Sequence, residues 1–404
     1  MTSRSRLLPL AVAAAALAGV LPASAAPVPA RPTPARCAPA ADTAQLQRQV
    51  RATLQLAGAR LAAADAGPAT RYPKAAYPGD RRWRRAAPGD WTAGFYPGAL
   101  WLLADLEPGT AWRARARRWT AAMLPQAGSS SHDVGFMLGS SAGEGWRLTG
   151  DRAYRSAQQR AARSLARHFV PAVGANWSWA ADDPSTVRVI VDSLMNLELL
   201  FEAGDARSRR LARRHARTLA RTHVRPDGST WHVVDLDRAT GAVERRWSAQ
   251  GYADSSTWAR GQAWALHGLT TAWRETGDPV LRDTARRVAD RWVADLPADC
   301  VPAWDVDDPR RAPKDASAAV VAVSGLLELS RLETDAARAA RYRGSALATL
   351  AAVTTPAYTT ARTGGPSVLR RQVYRSGSDV GAFIWGDYYL LQALVRLRDG
   401  RAGR

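Results

Sequence analysis

From Thr43 onward, apolar residues recur at the three- and four-residue spacing of an amphipathic helix in one segment after another. The pattern predicts twelve helices, near 43–66, 93–106, 109–124, 133–148, 152–169, 186–203, 206–222, 256–275, 279–294, 315–331, 336–353 and 380–398. Segment 186–203 is apolar on nearly every side, whereas 152–169 and 206–222 carry arginine along one face, which predicts alternating inner and outer helices. Four junctions share a form: Gly150-Asp151, Gly204-Asp205, Gly277-Asp278 and the related Thr334-Asp335. Glycine can close a helix in the left-handed conformation and aspartate can cap the next helix, so each junction marks the hinge of a helical hairpin. Twelve helices make six hairpins. The predicted fold is an all-α (α/α)6 barrel, with a superhelix of hairpins as the other arrangement of the same units. The longest interval between hinges holds an insertion, Gly228 to Gln250, predicted as a small β-hairpin turning through Asp237-Arg238-Ala239-Thr240-Gly241.

The first residues depart from this pattern. Arg4 and Arg6, the apolar run Leu7 to Val20 and Ala23-Ser24-Ala25 predict a cleaved signal peptide over 1–25 and a secreted protein. The run is about 14 residues, against the roughly 20 that span a bilayer, and no later stretch reaches that length, so no membrane segment is expected. Pro27, Pro29, Pro32, Pro34 and Pro39 make 26–40 a stiff, open linker, leaving 41–400 as one domain. Cys37 and Cys300 are the only cysteines; export leaves one intramolecular disulfide open to them. Neither a C-x-x-C nor a Cys/His metal pattern is present, and neither metal nor organic cofactor is expected. The formal net charge of +20 comes almost wholly from arginine. It would suit a polyanionic partner, although arginine rows such as Arg160, Arg163 and Arg167 also read as solvated outer faces. No basic run interleaves with aromatics, which argues against nucleic acid.

Two aspartates stand out as chemistry. If 186–203 is one helix, Arg188, Asp192 and Asn196 form a polar stripe on an otherwise apolar element, where a carboxylate must be paired or have its pKa raised. That suits a general acid; a structural Arg188–Asp192 pair is the plainer alternative. Asp133, in Ser131-His132-Asp133-Val134-Gly135-Phe136, opens an apolar helix whose dipole favours a charged carboxylate, or merely caps it. One protonated and one charged carboxyl is what acid/base chemistry on a sugar requires. Aromatics sit beside polar groups in Trp91-Thr92-Ala93-Gly94-Phe95, at Trp177 and Trp179, and on a helix carrying Trp258, Arg260, Gln262 and Trp264. Such indoles stack on sugars, or simply fill a core, and an adjacent arginine can hold a carboxylate.

Six ordered motifs resemble the unsaturated glucuronyl hydrolases of glycoside hydrolase family 88. They are Trp91–Phe95, His132–Phe136, Val189–Leu197, Gly251-Tyr252 through Trp264, Asp315–Ala318 and Trp385–Tyr388, together covering roughly Trp91 to Leu397. The resemblance implies the six-hairpin barrel, Asp192 as general acid/base, Asp133 as the second essential aspartate, and Trp91, His232, Gln250, Trp258, Arg260 and Trp264 as subsite residues. With His132, Trp179, Arg188, Asn196 and Gly251 these complete the candidate substrate-binding set. The implied substrates are oligosaccharides ending in a 4,5-unsaturated uronate, left by polysaccharide lyases, and a monomer is expected. Ser248-Ala249 stands where relatives commonly have Thr-His before the Gln-Gly pair. Tyr374-Arg375-Ser376-Gly377-Ser378 lacks a lysine found in members that accept sulfated disaccharides, with Arg375 as a possible substitute. Other activities compatible with these motifs are unsaturated rhamnogalacturonyl hydrolysis, cleavage of intact chains, and glycan binding without catalysis.

Overall fold

The computed structural model describes residues 36–202 and 205–400. The predicted signal peptide, linker residues 26–35 and Gly204 lie outside them. Twelve α-helices are present among the described residues: α1 Ala44–Ala64, α2 Phe95–Leu106, α3 Thr110–Met123, α4 Glu144–Thr149, α5 Arg152–Ala166, α6 Ser193–Glu202, α7 Ala206–Thr222, α8 Ala259–Thr276, α9 Pro279–Asp295, α10 Ala316–Leu332, α11 Ala336–Val353 and α12 Ile384–Asp399. A π-helix, Gly135–Gly143, runs directly into α4.

The helices form two concentric rings. α2, the π-helix, α6, α8, α10 and α12 each pack on the next, and α12 returns to α2. Outside them α3 lies on α2, α5 on the π-helix, α7 on α6, α9 on α8 and α11 on α10. The inner helices are buried all round: every residue from Ala316 to Leu329 of α10 and from Ala259 to Ala272 of α8 is buried. The outer helices bury one stripe and show arginine to solvent. This is the predicted (α/α)6 barrel. Its hinges form as their residues dictate: Gly150 and Gly277 take φ of +67° and +64°, and Asp151, Asp205, Asp278 and Asp335 accept backbone N–H groups of α5, α7, α9 and α11.

Three small antiparallel sheets close one end. β1 Tyr72–Ala76 and β2 Arg84–Ala86 join β8 Gln372–Val373 and β9 Val380–Phe383 in the order β2-β1-β9-β8. β3 Phe169–Val170 pairs with β4 Ala175–Asn176, and β5 Thr186–Ile190, β6 Val233–Asp237 and β7 Val243–Trp247 make the third sheet. The predicted insertion hairpin is β6–β7, with Gly241 at φ +73° in its turn.

Four boundaries differ from expectation. Residues 186–190 are strand, because β-branched Val187, Val189 and Ile190 pair in register with β6; the helix starts only at Ser193. The stripe of Arg188, Asp192 and Asn196 therefore does not exist. Residues 135–143 take the π rather than the α form, and Val380–Phe383 pairs with β1 before α12 begins. Finally, the end of the proline-rich segment is not open: Ala40 N–H donates to Gly344 O at 3.0 Å, and Cys37 is disulfide-bonded to Cys300, stapling this segment to the barrel. No helix among the described residues is long and apolar enough to cross a membrane.

Candidate active site

The N-terminal ends of the inner helices meet around a cavity of about 330 Å³. Trp91 precedes α2, Asp133 precedes the π-helix, Asp192 precedes α6 and Arg260 sits in the first turn of α8, so four ring elements each deliver one side chain. His132, Trp179, His232 and Gln250 complete the predicted residues that line it, beside Phe136, Ile190, Ala249, Tyr374 and Arg375. A larger cavity, about 610 Å³, shares Phe136 but contains neither aspartate; its walls include the ion pair Arg147–Glu144.

Asp133 is held from below. Asn196 Nδ2 donates to its Oδ1 at 3.1 Å, and His132 Nε2 stands 3.2 Å from Oδ2. Burial pushes its pKa up to about 7, opposed by the Asn196 hydrogen bond and assisted by the charge of Asp90. Asp192 is also raised to about 7, by burial first and then by Asp133, with Arg260 pulling the other way. Its buried Oδ2 has no hydrogen-bond partner and faces His232 Nε2 at 3.8 Å. The opposite environments expected for the two carboxyls, with Asp133 kept charged by its helix-start position, are therefore not found. Desolvation at that depth outweighs the helix dipole.

Both histidines are neutral at neutral pH, because burial lowers His132 to about 4 and His232 to about 3. Ala249 N–H donates to His232 Nδ1 at 3.2 Å, which leaves the ring hydrogen on Nε2, aimed at Asp192. The Ser248-Ala249 departure therefore still supports this ring, through the main chain.

One wall is organised by Tyr374. Its hydroxyl accepts Trp91 Nε1–H at 3.1 Å, and its carbonyl accepts Arg260 Nη2 at 2.7 Å and Gln250 Nε2 at 3.3 Å. Arg260 is buried, also donates to Val373 O, and pairs with Asp315 at 3.3 Å. Lys74, bound to Asp90 at 2.6 Å, and Arg375 lie 5.6 and 5.3 Å from the Tyr374 ring. Nothing in the periodicity marks Tyr374; it reaches the site only because β8 pairs with β9.

Five predicted residues do not line the cavity. Arg188 points across the sheet to Asp235, with Nε–Oδ1 2.8 Å, since the two are register partners. Asn196 lies beneath Asp133. Trp258 supports the site from behind, 4.4 Å from the His232 ring and 4.6 Å from the Arg260 guanidinium. Trp264 is buried against Phe136 and Tyr389. Gly251 shapes a loop: its N–H donates to Ser248 Oγ at 2.7 Å, and a Cβ would stand 2.8 Å from Asp305 Oδ2. Among the described residues no cluster of three or more acidic, His or Cys side chains is disposed to hold a metal.

No family model matches the chain. Individual proteins do. It is 35% identical over 322 residues to an unsaturated glucuronyl hydrolase of Formosa agariphila, covering 76% of this chain and 80% of the relative. A Bacillus unsaturated glucuronyl hydrolase is 34% identical over 331 residues, 78% of this chain and 88% of that one. The chain belongs to the unsaturated glucuronyl hydrolases. The crystal structure of an unsaturated glucuronyl hydrolase specific for heparin superposes on this hydrolase with a TM-score of 0.83 at 33% identity, covering 87% of this chain and 98% of that one. The barrel and its glycoside-hydrolase class are therefore common to this hydrolase and its relatives.

Proposed function

We propose that this hydrolase removes the terminal 4,5-unsaturated uronate from oligosaccharides left by polysaccharide lyases, with Asp192 as the acid/base. The observation that carries the assignment is the Asp192 carboxyl in the cavity lining, raised to about 7, with its buried Oδ2 unpartnered. A carboxyl in that state holds a proton at mildly acidic pH and has no internal acceptor for it. It gives that proton to C4 of the vinyl ether, positive charge develops at C5, and water adds there. The water's surplus proton returns to Asp192. The resulting hemiketal opens and releases the shortened chain. Asp133, fixed by Asn196, holds the sugar and, when ionised, steadies the charge at C5. Arg375, with no carboxylate partner for its guanidinium among the described residues, is placed to meet an anionic sugar at the wall.

In this reading the protein is exported through its N-terminal leader and acts as a monomer. The leader pattern of residues 4–25 and the Cys37–Cys300 disulfide support export.

The test is to follow loss of the C4=C5 ultraviolet absorbance with unsaturated disaccharides from chondroitin, hyaluronan, heparin, gellan and pectin. Turnover of at least one, reduced by about 10²–10⁴-fold in Asp192→Asn, is expected. Intact turnover in that variant would remove Asp192 from the chemistry.

A further inference from the structure

Four outer helices, α3, α5, α7 and α11, carry arginine and no acidic residue, but three of the four arginines of α3 and two of the three of α11 pair with Asp65, Asp151 or Asp290. α5 and α7, neighbours on one side of the barrel, carry four and seven arginines and no acidic residue. On α9, the next outer helix, four arginines are interleaved with Asp283, Asp290 and Asp295, which pair with Arg282, with Arg341 of α11 and with Arg291 respectively. Along α7 only the arginines facing α8 and α9 are neutralised: Arg209 by Glu275, and Arg213 and Arg217 by Asp278. Arg160 and Arg163 of α5 and Arg207, Arg210, Arg214 and Arg221 of α7 are all exposed and have no carboxylate partner among the described residues.

We infer that this arginine wall binds the intact polyanionic polysaccharide from which the substrate oligosaccharides are cut. The helices run about 22–25 Å, with same-face positions about 5–6 Å apart, so the wall presents a linear array of cations to a linear polyanion. Guanidinium groups suit carboxylate and sulfate, which they can grip with two hydrogen bonds. No aromatic side chain is exposed on α5 or α7, so the stacking platform that single-stranded nucleic acids use is missing. The choice of a uronate-bearing polysaccharide rests on the proposed substrate class. The wall itself does not, since it lies outside the catalytic cavity.

The test measures binding of the full protein to immobilised intact chondroitin sulfate, which has no unsaturated end, by surface plasmon resonance. Binding should weaken by about tenfold or more between about 50 and 200 mM salt. Arg163→Glu/Arg214→Glu should weaken it by about tenfold while leaving disaccharide turnover within about twofold. Arg48→Glu/Arg51→Glu, the same change of charge on exposed arginines of α1, should leave binding within about twofold. Equal loss in the two variants would overturn the wall in favour of net charge alone. Absence of binding at low salt, or equally tight binding to double-stranded DNA or to anionic phospholipid vesicles, would overturn the polysaccharide assignment, whatever the outcome of the turnover assay.

Discussion

Asn196 donates from Nδ2 to Oδ1 of Asp133 across 3.1 Å, while its own Oδ1 accepts the Phe136 backbone N–H at 2.8 Å. One amide therefore orients the carboxyl and satisfies a donor at the start of the π-helix. Gly135 permits the approach, since a Cβ there would stand 2.7 Å from the Asn196 Cα. Asn196→Ala removes a donor that favours ionised Asp133, so the pKa of this carboxyl rises above about 7. The rate should fall about ten- to a hundredfold, and the ascending limb of the pH–rate profile should move to higher pH. A profile of unchanged shape would exclude Asn196 from positioning Asp133.

Asp192 has a folded-state pKa of about 7 against an ordinary 3.8. Its acid form is present below about 7, so turnover should decline as pH rises through that value. The same shift has a sign for stability. The folded chain keeps a proton that the unfolded chain releases, so stability is lost as pH rises across this window. Asp192→Asn cannot ionise; it should be more stable than the wild type at about pH 8 by on the order of 1–3 kcal/mol, with no gain at about pH 4. Denaturant unfolding at the two pH values measures this, and equal stability at the higher pH would mean that burial does not raise the pKa of this carboxyl.

Tyr374→Phe deletes only the hydroxyl that accepts the Trp91 indole N–H, leaving its carbonyl bonds to Arg260 and Gln250 in place. The expected effect is on binding: KM up by about three- to tenfold, with kcat within about twofold. Steady-state kinetics that showed kcat falling with KM unchanged would place Tyr374 in the chemical step instead.

The disulfide closes a loop of sequence separation 263, long enough to restrict the unfolded chain strongly. Cys37→Ser should lower stability by about 2–5 kcal/mol while leaving turnover unchanged well below the melting temperature. Calorimetry of the two proteins, each non-reduced, checks it; equal melting temperatures would mean that the N-terminal segment is held by its packing alone.

The twelve helices, their inner and outer order and the hairpin hinges were legible in the chain because they are set locally. Spacing selects the helix, Gly150 and Gly277 stop it, and Asp151, Asp205, Asp278 and Asp335 start the next. Asp133, at the start of an apolar helix, and Asp192, among apolar residues, were legible as candidates, and both line the cavity. What tertiary structure alone decided is non-local. Residues 186–190 carry an apolar run that suits a buried helix or a strand, and only pairing with β6, more than forty residues away, made it a strand and turned Arg188 to Asp235. Tyr374 entered the site through the β8–β9 pairing. The raised pKa of Asp133 came from burial beneath the barrel mouth, a loss of hydration that no spacing along one helix encodes and that outweighs the dipole of that helix.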